Sequence, residues 1–134
     1  MKHIFRKKES LVRFRRDVPI IKQDRERQII YGIVYEPDVL DAHDDAMEAE
    51  EIEKACHRFM LDSQLIKKGH KKPAAAKVVE SYIAPVDFEI GDEVVKKGSW
   101  VMAVKVMDSK LWQGIKAGEY TGFSMAGIGR RTPL

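Results

Sequence analysis

"RQIIYGIVYEPD", residues 27–38, is apolar on both of its alternating sets. In an extended chain Ile29, Tyr31, Ile33 and Tyr35 fall on one side, and Ile30, Gly32 and Val34 on the other. A strand with one solvated face alternates apolar with polar, so apolar residues on both sides predict a strand covered from both faces. Pro37, with no N–H for a ladder, ends it. The fold must therefore place a layer on each side of this strand.

Working outward, "DAHDDAMEAEEIEKACHRFMLDSQ" (41–64) is the clearest helix. Ile52, Ala55, Cys56, Phe59 and Met60 recur at the spacing of one helical face. Asp45 followed by Glu48 resembles a capping box with Asp in the Ser/Thr role. Glu48, Glu50, Glu51 and Glu53 crowd the early turns, where the helix dipole favours negative charge. "LIKKGHKKPAAAK" (65–77) is a polar connection, and "KVVESYIAP" (77–85) a short strand ended by Pro85. "FEIGDEVVKKGSWVMAVKVM" (88–107) predicts a hairpin with turns near Gly91–Asp92 and Gly98. "DSKLWQGIKAGEY" (108–120) predicts a short helix capped by Asp108, striped by Leu111, Trp112 and Ile115, and closed by Gly118. "TGFSMAG" (121–127) is a last strand, followed by the tail "IGRRTPL". Five or so strands and two helices, without regular βαβ alternation, argue for α+β or a small helix-decorated barrel.

At 134 residues the chain suits one domain, and an apolar content of 44% is enough for a core. The formal charge of +3 is too small to argue for nucleic acid. A single cysteine excludes an intrachain disulfide and fits a reducing compartment. No apolar run approaches the roughly 18 residues of a membrane span, and the N-terminus lacks the apolar stretch of a secretory signal. The expectation is an intracellular, soluble protein with a basic arm at 1–16 and a single domain at 17–134. The arm is a solvated segment or a dock for an acidic partner, with Ile4, Phe5, Leu11, Val12 and Phe14 able to pack.

Ser124 stands in "YTGFSMAG" (120–127) between Phe123 and Met125, with Gly122, Ala126 and Gly127 clearing space around it. In a strand over 121–126, Phe123 and Met125 would anchor one face and leave the face of Ser124 nearly bare. A nucleophile needs such a face if a substrate carbonyl is to come within about 3–3.5 Å. Gly127 and Gly129 would let backbone N–H groups approach an oxyanion. Tight packing against a crossing element explains the same small residues, and on the residues alone it is the better account. The partial match of "GFSMA" to a nucleophile elbow lacks the final glycine and the parallel sheet of that fold.

A serine nucleophile requires a base. His3 lies in the arm, His43 in the acidic stretch before the helix, and His57 off its apolar stripe. That leaves His70, although composition alone favours a loop histidine among lysines. Glu80 interrupts the apolar "VVESYIA", either as a buried carboxylate needing a partner or as a solvent-facing residue. Cys56, on the helix stripe, reads as core.

Three long segments carry a resemblance: "GIVYEPDVLDAHDDAMEAEEIEKACHRFM" (32–60), "KVVESYIAPVDFEIGDEVVKKGSWVMAVKV" (77–106) and "LWQGIKAGEYTGFSMAG" (111–127). Together they resemble the XkdF-type serine proteases of phages and PBSX-like prophages, over about residues 30 to 130. That family is distantly similar to phage prohead proteases and herpesvirus assemblins. The resemblance implies a small antiparallel β-barrel flanked by helices, and cleavage of scaffold and capsid precursors in an assembling procapsid within the bacterial host cytoplasm. It aligns the family's serine with Ser124 and its histidine with His70. It leaves the third member open: a Ser–His dyad, a triad completed by Glu80, or a shortened chain lacking that group. The oxyanion would be held near Gly127 or Arg130, Arg130 and Arg131 being similar to an arginine pair of assemblins. No metal or cofactor is implied, and a homodimer is. Against this stands an inactive, protease-like assembly module of a phage particle. Nucleic-acid binding through the arm is not expected.

Overall fold

A computed structural model describes residues 17–39, 46–63, 75–124 and 127–129. The elements, in chain order, are β1 (Asp17–Pro19), β2 (Lys22–Asp24), β3 (Ile29–Tyr35), α1 (Ala49–Arg58) with a π turn over Phe59–Ser63, and β4 (Ala76–Ile83). There follow β5 (Phe88–Ile90), β6 (Glu93–Val95), β7 (Trp100–Val106), α2 (Ser109–Lys116), β8 (Gly122–Ser124) and β9 (Gly127–Gly129). The basic arm, Asp45 and His43 lie outside the described residues. No described helix is long and apolar enough to cross a membrane.

The strand read from residues 27–38 is β3, and it has the two covered faces its composition requires. It pairs with β2 on one side and β7 on the other, in an antiparallel sheet ordered β2-β3-β7-β4. Ile30 and Val34 join Trp100, Met102 and Val104 of β7 on one face, against Ile52, Cys56 and Phe59 from α1 and its π turn, and Trp112 and Ile115 from α2. On the other face Tyr31, Ile33, Val101 and Tyr82 pack with Ile90 and Val95 of the β5–β6 hairpin. Each fully buried large aliphatic side chain contributes about 1.5–3 kcal/mol. This double cover explains why β7 is buried along almost its whole length.

The helices form where their patterns predict, with one shift at a cap. Glu48, not Asp45, is the N-cap residue of α1, and the carboxylate of Glu51 accepts from the Glu48 N–H at 3.2 Å. Ile52, Cys56 and Phe59 face the core, but Met60 stays 39% exposed, because the π turn begins at Phe59 and rotates it off the stripe. In α2 the Asp108 carboxylate accepts from the Lys110 N–H at 2.8 Å, and Gly118 at φ 82° ends the helix. The turn at Gly91 closes a hairpin of β5 and β6 alone, the turn at Gly98 leads from β6 to β7 in the other sheet, and both glycines hold positive φ.

Two expectations are corrected. The mixed architecture is mainly β, but no described sheet closes into a barrel. Closure would need β2 and β4 to pair. Instead β2 is only three residues long, and the chain preceding it leaves for a second sheet, ordered β1-β8-β9. Burial comes from stacked layers, with helices on one face and a hairpin on the other. The strand predicted over 121–126 is shorter, and the chain resumes as β9 over Gly127–Gly129, with Ser124 opposite Gly127. Met125 and Ala126 connect the two and lie outside the described residues.

The small sheet sits on β3 at Gly32. A β-carbon there would come within 2.4 Å of Val18 Cγ1, 2.8 Å of the Pro19 carbonyl oxygen and 3.0 Å of Phe123 Cε1. Val18 and Phe123 are register partners of β1 and β8, and both are buried. Gly32→Ala is expected to lower unfolding stability by about 1–3 kcal/mol, since a backbone oxygen cannot swing aside as a side-chain tip can. Urea denaturation measures it, and stability equal to wild type would contradict the proposed seat.

Candidate functional site

Ser124 is the last residue of β8, one position beyond Phe123. Phe123 is held in the core against Gly32, and the Ile20 N–H donates to the Thr121 carbonyl at 3.1 Å, which anchors the chain entering β8. β8 is the central strand of its sheet, which gives Ser124 a neighbour on each side: Asp17 of β1 and Gly127 of β9. The hydroxyl-bearing residue thus stands between an acidic residue and a glycine. The expected oxyanion donor Gly127 is brought beside Ser124. His70 and Arg130 lie outside the described residues.

Glu80 is placed elsewhere, on β4 of the four-stranded sheet, with Ala103 as its register partner. A bulge between Val78 and Glu80 decides its surroundings. Without that bulge, the two-residue period would put Glu80 on the side of Val78, which packs on the helix-covered core. With it, Glu80 shifts to the opposite side and is exposed, while Ser81 takes the inward place. The Glu80 charge is felt by Arg27, whose pKa is raised mainly by its hydrogen bond to Asp24, and by Tyr82, whose phenol is raised first by burial. The solvent-facing reading of Glu80 is the one the backbone produces.

The inward turn of Ser81 builds a polar cluster that the sequence did not reveal. The Trp100 indole N–H donates to Ser81 Oγ at 2.9 Å, and Cys56 Sγ lies 3.7 Å from the same oxygen. The nearest sequence signal was Glu80 itself, one position away. Ser99 is fully buried and its hydroxyl has no partner among the described residues, so it offers no path to a substrate. Asp17 was also missed: nothing in its local sequence marks it, because its proximity to Ser124 comes from pairing between opposite ends of the described chain.

His57 is exposed on α1, as its place off the apolar stripe predicts. Among the described residues no cluster of His, Cys, Asp or Glu could hold a metal ion. An open cleft of about 710 Å³ runs beside α2, lined by Ala75, Asp108, Leu111, Gly114, Glu119 and Tyr120. It includes neither Ser124 nor Glu80.

Residues 17–133 match a family model described as "Putative phage serine protease XkdF". The chain belongs to this family. Two Bacillus subtilis (strain 168) relatives of the XkdF-type chain agree with that. It is 52% identical over 103 residues to the "Phage-like element PBSX protein XkdF", and 50% identical over 123 residues to the "Uncharacterized protein YqbD". Those alignments cover 76% and 90% of this chain, but only 37% and 38% of the relatives. The chain therefore spans under two-fifths of the length of these curated relatives. No solved structure matches it.

Cys56 is the other nucleophile type in the domain, and its surroundings disarm it. Burial is the main cause that pushes its thiol above the ordinary 9.0; the Ser81 hydrogen bond opposes this and the Glu53 charge adds to it. A thiol with a raised folded pKa contributes stability that is complete below its unfolded pKa and is lost as pH rises through the raised value. The fold is therefore expected to weaken above about pH 9, with Cys56→Ala flattening part of that fall and Tyr82→Phe another part. Alkaline denaturation curves test this. Iodoacetamide at pH 8 should alkylate Cys56 only on unfolding, and rapid native labelling would show that the thiol is not buried.

Proposed function

We propose that this XkdF-family chain is the catalytic domain of a serine endopeptidase that cuts scaffold and capsid precursor proteins during phage head maturation. The observation that carries the proposal is the place of Ser124 in a chain of this family: at the end of a core-anchored strand, opposite Gly127 on one side and Asp17 on the other. The strand-rich, helix-flanked domain is read as a divergent member of the assemblin-like group. Its working place is the assembling procapsid in the host cytoplasm, and its working form a homodimer.

The chemistry is acyl transfer. Ser124 Oγ attacks the scissile peptide carbonyl while the neutral imidazole of His70 takes the hydroxyl proton. The carbonyl π electrons move to the oxygen, and that charge is met by backbone donors near Gly127 and Arg130. When the tetrahedral intermediate collapses, the C–N bond breaks and the imidazolium returns its proton to the leaving amine. Water, deprotonated by the same imidazole, then hydrolyses the ester and frees Ser124. These steps are written without Glu80, which is exposed on the other sheet.

A fluorophosphonate probe is expected to label the folded chain, and Ser124→Ala to abolish labelling. Co-expression with the neighbouring scaffold protein should shorten that protein, and His70→Ala should leave it uncut. A chain that is folded by circular dichroism yet stays unlabelled and leaves scaffold intact would instead be a non-catalytic assembly module.

A further inference from the structure

Asp17 is an exposed carboxylate that the backbone holds beside position 124. Register partners of an antiparallel ladder have α-carbons about 4.5–5.5 Å apart, and Asp17 is the partner of Ser124. Its place is set by its neighbour: Val18 is wholly buried against Gly32, which pins the start of β1 to β3. Its carboxylate nevertheless forms no ion pair or hydrogen bond with any described residue, whereas Asp24, also near a strand end, is tied to Arg27 at 2.7 Å. Asp17 thus places a carboxylate, unpaired among the described residues, next to the candidate nucleophile. On the other side of Ser124 the register partner is Gly127, which carries no side chain. The two flanks differ in charge and in bulk.

We propose that Asp17 is a specificity-determining residue that selects a cationic side chain, Lys or Arg, at the substrate residue whose carbonyl is attacked. This rests on the reading of Ser124 as nucleophile. When that carbonyl is bonded to Ser124, its own side chain is the substrate side chain nearest the strand partners of Ser124. A cation there meets the Asp17 carboxylate; an acidic side chain meets like charge. The selected substrate class is therefore a peptide segment with a basic residue immediately before the scissile bond, and segments with an acidic residue there are rejected. An ion pair at an exposed edge supports a preference of about fivefold over a neutral isostere.

The test uses three peptidyl diphenyl phosphonates that differ only in that residue, bearing Lys, norleucine or Glu, with a neutral alkyl fluorophosphonate as reference. Labelling rates are compared for the wild-type chain, Asp17→Asn and Asp17→Lys, each checked for a native thermal transition. The wild type should label fastest with Lys and slowest with Glu. Asp17→Asn should collapse the Lys-to-norleucine ratio toward one, and Asp17→Lys should invert the order. Because ratios are read within each variant, a general loss of reactivity cancels. Equal ratios in all three proteins, with the reference probe still reacting, would overturn the role of Asp17 and leave the hydrolase reading standing. Failure of the reference probe on the folded wild type would overturn both.

Discussion

The missing side chain of Gly32 is the constraint on which the arrangement depends. β3 is the strand with cover on both faces, and the helix side of that cover must also admit the small sheet that carries Ser124. A β-carbon at position 32 would collide with Val18, Pro19 and Phe123 together. With only hydrogen there, β1 and β8 come down on β3, Val18 and Phe123 complete the core, and the residues just beyond them, Asp17 and Ser124, are held at its margin. The position of the candidate nucleophile is a consequence of core packing at a residue far away in sequence.

A second local device sorts polar from apolar along β4. The single extra residue Val79 turns Glu80 outward and Ser81 inward, where its hydroxyl meets the Trp100 indole N–H and the Cys56 thiol. A buried indole N–H without a partner costs about 1–3 kcal/mol, so the bulge lets a bulky tryptophan occupy the core without leaving its donor unpaired. The same bulge takes the acid that stood out in the sequence away from the core, on a sheet other than that of Ser124. An acid that did not stand out, Asp17, occupies the place beside it.

Family membership and tertiary structure make separate contributions to the functional reading. The match over residues 17–133 places the chain among XkdF-type phage proteins. The fold adds the environment of the serine: a core-anchored strand end with a glycine on one side and a carboxylate on the other. The small residues around Ser124 have two different surroundings. Gly122 is buried between Pro19 and Gly129, a matter of packing, whereas Gly127, the register partner of Ser124, brings no side chain to that flank.

Much of the local structure was legible in residue order, because periodicity and caps act over a few residues. The doubly apolar run of β3, the stripe of α1, the Asp108 cap and Gly118 stop of α2, and the Gly91 and Gly98 turns all follow from rules of short range. Ser124 was singled out the same way, from its small neighbours. What the order of residues did not determine was which strands meet. The departure of the chain into a second sheet instead of a closed barrel, the bulge that reverses Glu80 and Ser81, and the pairing of Asp17 with Ser124 depend on contacts between segments remote in sequence. Such contacts are chosen by steric fit across the whole core, as at Gly32, and only the folded chain brings those surfaces together.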